Sequence, residues 1–273
     1  MINTHALEPS LNQTSIVTIT FNNQDELVQT CESIAPLRGL VEHVVINGGS
    51  DVSSKNFLSQ QLGIISISEK DNGIADAFNK GFRKSTGKYL MYVNSGDLLV
   101  NSQYVLSAQK VFESMPDVGF VYGNLSFQHP QAGLLIYTFK AFKHLSAGQP
   151  YFFPTMIFRK SVLDQIGIFN LNYKIGMDFD LIVRLEKNKI KGHYLDTAPV
   201  VLMDGNGISS LQEYKSILEN ERSLKENKIY NRHDLYNLSK RKMVLLVKKI
   251  LFSINLEKMI FKYKQLKYSK GIK

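Results

Sequence analysis

Five short runs rich in β-branched residues recur through the first half of the chain: SIVTITF (15–21), EHVVING (42–48), IISIS (64–68), KYLMYVN (88–94) and VGFVYGN (118–124). The stretches between them, 25–35, 52–61, 73–86 and 101–114, carry apolar residues at helical spacing. From Gly73 to Thr86, Ile74, Ala77, Phe78 and Phe82 fall close to one face. Alternating strand and helix predict an α/β fold with a Rossmann-like, mostly parallel central sheet flanked by helices.

After Asn124 the rhythm changes. LSFQ and GLLIYTF on either side of HPQAG predict a hairpin, and PTMIFRKSVLDQIG a strand followed by a short helix. Residues 178–188 read as another helix, HYLDTAPVVLM as a last strand pair, and 209–228 as a polar, charged helix. No internal repeat and no Pro- or Ser-rich linker interrupts the chain. The expected organisation is one domain over 14–208 and a helical extension over 209–273.

With 273 residues, 44% of them apolar, the chain can bury a full core. The one cysteine, Cys31, sits in a helix-like stretch and reads as core filler. The start, MINTHALEPSLNQTS, lacks the apolar centre of a signal peptide, and no apolar run approaches the roughly 18 residues of a membrane span. These features together set the expectation of a cytoplasmic protein. Charge alters that picture in one place. Residues 240–273 hold 11 Lys/Arg and one acid, a net of +10, whereas the whole chain is +9, so residues 1–239 come to −1. A near-neutral domain with a basic tail disfavours a nucleic-acid binder, which needs a broad cationic footprint.

Acids follow several strands. Asp51 comes after EHVVINGGS, Asp71 after IISISEK, and Asp97 after KYLMYVNSG. Any one of them suits a turn or a helix cap. Parallel strands, however, bring their carboxyl ends to one edge, where ligands of open α/β sheets bind. Asp178 and Asp180, in GMDFDLIVRL, lie two apart and cannot share a helix face, so one is free to enter a cleft while the other caps. Zinc spacings, the G-X-S-X-G elbow, the P-loop and the G-X-G-X-X-G fingerprint are all missing, and the six histidines are scattered.

In order and spacing, SIVTITFNN, EHVVINGGSD, SEKDNGIADAFNKGFRKSTGKYLMYVNSGD and GMDFDLIVRL resemble a family 2 glycosyltransferase of the GT-A fold, of the kind that builds bacterial surface polysaccharides. The resemblance spans 14–200. It implies a nucleotide-sugar half over 14–124, an acceptor half over 125–208, and an inverting enzyme that moves a sugar from a nucleotide diphosphate donor, a UDP-sugar above all. It implies Mg²⁺ or Mn²⁺ on the diphosphate. A hard cation needs only one or two protein carboxylates when phosphates supply the remaining ligands. By position, Asp97 matches the last, metal-facing acid of the DXD segment, and Asp178 the base that deprotonates the acceptor hydroxyl. Thr20, Phe21, Asn47, Asp71 and Asn79 match segments around the donor. Asn47 replaces the usual Asp, Gly96 removes the middle acid of DXD, and Phe153 stands where relatives often carry His.

The rival reading from the same residues is a nucleotide-binding protein of this fold without transferase activity. The family also implies a glycan acceptor carried on a lipid. The basic tail, with clusters MVLLV, ILFSI and MIF, sets the expectation of an enzyme held peripherally on an anionic membrane at its inner face. Leu246, Ile250, Phe252, Ile254 and Met259 are expected to form the apolar face, with Lys248, Lys249, Lys258 and Lys262 around it.

Overall fold

The computed structural model describes residues 13–139, 144–148, 150–204, 212–254, 256, 258 and 260–262. The five β-branched runs form β1 (Thr14–Thr20), β2 (Glu42–Asn47), β3 (Ile64–Ser68), β4 (Tyr89–Tyr92) and β6 (Val118–Tyr122). Between them lie α1 (Gln24–Ile34), α2 (Val52–Ser59), α3 (Ile74–Lys84), the two-residue β5 (Leu98–Leu99) and α4 (Gln103–Ser114). The second half supplies the hairpin β7 (Leu125–His129) and β8 (Gly133–Tyr137), then β9 (Ile157–Arg159), α5 (Lys160–Ile166), α6 (Met177–Lys187), β10 (Lys191–Tyr194) and β11 (Val201–Asp204). Two helices follow, α7 (Glu213–Glu226) and α8 (Arg232–Ser253).

The central sheet has the order β10-β6-β9-β4-β1-β2-β3. All neighbours are parallel except β9, which runs antiparallel to both β4 and β6. The faces are covered as the spacing predicts: Ala77, Phe78 and Phe82 of α3 pack with Val17, Ile46 and Tyr92 on one side, and Val105, Ala108 and Phe112 of α4 pack with Ile16 and Val121 on the other. Cys31 is buried, and burial pushes its thiol up to about 12, so it behaves as an inert apolar filler.

One expectation is corrected. The predicted last strand pair does not pair: β10 joins the edge of the central sheet beside β6, whereas β11 enters a second sheet of order β5-β11-β7-β8. The basic C-terminal helix begins at Arg232, eight residues before the basic stretch, under a capping box of Asn231 and Asp234. Among the described residues no helix is long and apolar enough to cross a membrane.

Candidate active site

In register, Thr20 lies beside Asn47 and Asn47 beside Ser68, so β1, β2 and β3 end level. The chain after β4 continues alongside β1, with the Val93 amide donating to Val17 and the Ser95 amide to Ile19. Four loops therefore meet at one edge. Phe21 is 65% exposed there, an aromatic face open to a planar ligand. Next to it Asn22 takes a positive φ of 53°, and its Oδ1 accepts from the amides of Ser50 (2.9 Å) and Asp51 (3.2 Å). Gly48 and Gly49 are required by this crowding: a Cβ on the first would overlap the Asp71 carboxylate, and one on the second the Asn22 side chain. Asp71 leans on that backbone while accepting from the Gly73 amide (3.0 Å). Asp51 caps α2 by accepting from the Ser54 amide (2.9 Å).

The turn after β4 is built around Asp97. Gly96 has φ +97°, and its backbone passes close to Glu26 of α1. Thr30 braces the turn, accepting from the Gly96 amide (3.1 Å) and donating to the Asp97 carbonyl (2.9 Å). The Asp97 side chain is buried. Burial pushes its carboxyl up to about 7; the backbone amides of Asn94 and Asp204 pull it back, and the nearby acids Asp204 and Glu26 push it further up. Asn94 Oδ1 and Ser95 Oγ, in the same turn, are buried with no hydrogen-bond partner among the described residues. Acids gathered beside unpartnered oxygens form an environment of hard donors that suits a divalent cation. Among the described residues no group of three or more His, Cys, Asp or Glu could hold a metal alone, so a cation here would need ligands from the donor's phosphates.

The second constellation opens α6. Asp178 is half-buried, accepts from the Phe179 amide (2.7 Å), and lines a cleft of about 240 Å³ with Phe127, Tyr137, Phe152, Met203 and Asn220. Asp180 points the other way. It is buried and takes Arg184 Nε (2.9 Å), Ser223 Oγ (2.8 Å) and Asn227 Nδ2 (3.3 Å), tying α6 to α7. Glu219 of α7 holds the approach to α6, accepting from the amides of Lys174 (3.2 Å), Ile175 (2.9 Å) and Gly176 (2.7 Å). Burial raises its carboxyl, but those amides outweigh burial and leave it below the usual range. Asn220 Oδ1 is buried in the cleft wall without a partner among the described residues.

The family model "Glycosyl transferase family 2" matches residues 15–167, more than half of the chain. The chain belongs to glycosyl transferase family 2. An uncharacterised glycosyltransferase of Mycobacterium tuberculosis is 29% identical over 178 residues, covering 62% of this chain and 67% of the relative. Two solved structures share the fold. Staphylococcus aureus TarS 1–349, in complex with UDP-GlcNAc, has a TM-score of 0.61 at 13% identity, covering 84% of this chain and 71% of that one. The mannosyltransferase PcManGT of Pyrobaculum calidifontis, in complex with GDP-Man and Mn²⁺, has a TM-score of 0.60 at 14% identity, covering 95% and 84%. The architecture is thus that of the GT-A glycosyltransferases.

Within this glycosyltransferase the structure brings Thr20, Phe21, Asn47, Asp71 and Asp97 to the carboxyl edge of the sheet. Thr20 is buried and donates to Asn23. Asn47 is fully buried, with its Oδ1 accepting from the Gly49 amide (3.0 Å) and its Nδ2 within 3.4 Å of Ser68 Oγ, so it shapes the Gly-rich loop from inside. Asn79, expected beside the donor, has both ends of its amide engaged within the fold. Buried in mid-α3, it donates to the Phe169 carbonyl (2.8 Å) and accepts from the Phe169 amide (3.0 Å), stitching α3 to the segment before α6. Phe153 packs against Phe78 and Phe169 and also lines the cleft beside Asp178. Sequence reasoning missed Asp204. Its signal, an acid ending a strand in VVLMDG, is the same one that singled out Asp97. The family match ends at residue 167, before Asp178 and Asp204, so those two stand on geometry and on the position of Asp178 in GMDFDL.

Proposed function

We propose that this glycosyltransferase is an inverting enzyme that moves a sugar from a nucleotide diphosphate donor, a UDP-sugar, to a hydroxyl of a lipid-linked glycan acceptor in bacterial surface-polysaccharide assembly. The observation that carries the reading is the contrast between two acids: Asp97, buried among carboxylates beside unpartnered oxygens, and Asp178, at an apolar-walled cleft. Phe21 would stack on the base, and the loop built by Asn22, Asn47, Gly48 and Asp71 would shape the nucleoside pocket. Asp97, with Asp204 beside it, would hold Mg²⁺ or Mn²⁺, which supplies Lewis-acid stabilisation of the nucleotide diphosphate leaving group. The UDP-GlcNAc and the GDP-Man with Mn²⁺ in the two structural relatives support that assignment.

On the acceptor side Asp178 would take the proton of the attacking hydroxyl. Attack on the anomeric carbon from the face opposite the leaving group needs one such base and gives inversion. The walls of Phe127, Tyr137, Phe152 and Met203 exclude water and suit an acceptor whose hydroxyl adjoins an apolar or ring surface. Asn220 Oδ1 offers an acceptor for a second hydroxyl. A screen of UDP-, GDP- and dTDP-sugars in Mn²⁺, read as nucleotide diphosphate release with and without a lipid-linked acceptor, tests the proposal. Release from a UDP-sugar stimulated by acceptor supports it. Donor binding with no release under any acceptor would leave a nucleotide-binding protein instead.

A further inference from the structure

Helix α8 is apolar on two opposite sides. One side, with Leu238 and Leu245, packs into a small core with Ile217 and Leu224 of α7. At about 100° per residue, Tyr236, Met243, Val247 and Ile254 fall roughly half a turn away from those residues. They do face outward: Tyr236, Met243, Leu246, Val247, Ile250 and Ile254 are between 49% and 67% exposed. A surface helix ordinarily turns polar residues to water. This one turns a contiguous apolar stripe outward, larger than the scattered exposed side chains that need no explanation.

The charges around the stripe are of one sign. Lys242 and Lys248 are committed to α7, pairing with Glu221 (2.8 Å) and Glu213 (3.0 Å), so the helix is pinned with its stripe outward. Arg232, Lys240 and Lys249 are exposed and form no ion pair among the described residues. Lysines 258, 262, 264, 267, 270 and 273 follow in sequence against the single acid Glu257. A second copy of the chain would bring an equally basic stripe, which like-charge repulsion opposes. An apolar stripe rimmed by cations instead complements an anionic lipid surface, with acyl chains below and phosphates around. Of the expected apolar face, Leu246, Ile250, Phe252 and Ile254 are exposed, and Phe252 also touches Phe261 (5.9 Å between rings); Met259 is outside the described residues.

We propose that the outward stripe of α8 is a docking surface for an anionic lipid bilayer, with the helix lying in the membrane plane. The surface is joined to the acceptor cleft through α7, which packs on α8 and lines the cleft with Ser216 and Asn220. A second link runs through Phe261, whose ring lies tilted 5.5 Å from that of His129, at the end of the strand whose Phe127 walls the cleft.

Sedimentation of the full chain with phosphatidylglycerol/phosphatidylcholine vesicles, against phosphatidylcholine alone, tests this without any substrate. The wild type should bind the anionic vesicles, less so at high salt. Leu246→Glu/Ile250→Glu should weaken partitioning about tenfold or more, and Lys240→Glu/Lys249→Glu should weaken it as well. The first pair is solvent-exposed, so its melting temperature should be unchanged; Leu246→Ser/Ile250→Ser serves as the gentler version. Equal sedimentation of wild type and stripe variants overturns the proposal, as does equal binding to both vesicle types. A dimer in light scattering that Leu246→Glu splits, without vesicle binding, assigns the stripe to a second copy and also overturns it.

Discussion

Asp97 and Asp180 are both buried carboxylates, each near the start of a segment that follows a core element, and they are opposites. Asp180 has every need met: a guanidinium, a hydroxyl and an amide converge on it. Asp97 has two acids for neighbours, two backbone amides for relief, and a carboxyl pushed up to about 7. A fold gains nothing from the second arrangement, since an unpaired buried charge is costly. A buried acid compensated by a guanidinium marks structure; a buried acid crowded by other acids marks a place suited to a cation. Asp178, neither deeply buried nor encased, stands apart from both at a cleft.

Breaking the acid crowded by other acids should have the largest effect. Asp97→Ala is expected to lower turnover in Mn²⁺ by about a thousandfold or more, since it removes the anchor of the leaving-group charge; steady-state nucleotide release measures it. Asp178→Asn should follow, dropping kcat about a hundredfold or more while donor affinity stays near wild type, because a base acts only on the acceptor proton. If Asp180→Asn reduces kcat more than Asp178→Asn does in folded protein, the roles are exchanged.

The satisfied acid should show its effect in stability instead. Asp180→Ala strips Arg184 of its carboxylate but leaves it the carbonyls of Ile166 and Ile168. A loss of about 3 kcal/mol in urea unfolding is expected, at the low end for a broken buried pair. The smallest effect sharpens the contrast most. The Asp97 carboxyl titrates at about 7 in the fold, against roughly 4 when unfolded. A raised carboxyl contributes stability that is fully present below the unfolded value and lost as pH rises through the folded one. In EDTA, Asp97→Asn should therefore match wild type below about pH 4 and be the more stable of the two once the pH has risen past about 7. Thermal melts across pH check this; a destabilised Asn variant at high pH would mean that Asp97 is a satisfied structural acid like Asp180.

What could be read in advance divides along the same line. β-branched runs and helical spacing carry the central sheet because each is a local pattern tied to one buried face. The places of Asp71, Asp97 and Asp178 were legible because an acid just past a strand or opening a helix is local as well. Asp204 was not, since it meets Asp97 only through the pairing of β11 with β5, a two-residue strand that no periodicity announces. Asn79 shows the reverse case. Its local place on α3 says nothing of Phe169, ninety positions along the chain, which occupies both ends of its amide. The stripe of α8 was half legible: the apolar clusters were visible, but which side α7 would cover depends on the register of two helices.

The central claim is that Asp97 holds a divalent cation that joins the protein to the donor diphosphate. Calorimetric titration of UDP into wild type and Asp97→Ala, each with Mn²⁺ and with EDTA, reads that coupling directly. The account predicts that Mn²⁺ strengthens UDP binding to the wild type by about tenfold or more and leaves the variant unchanged. Equal strengthening in both proteins, or none in the wild type, would contradict it.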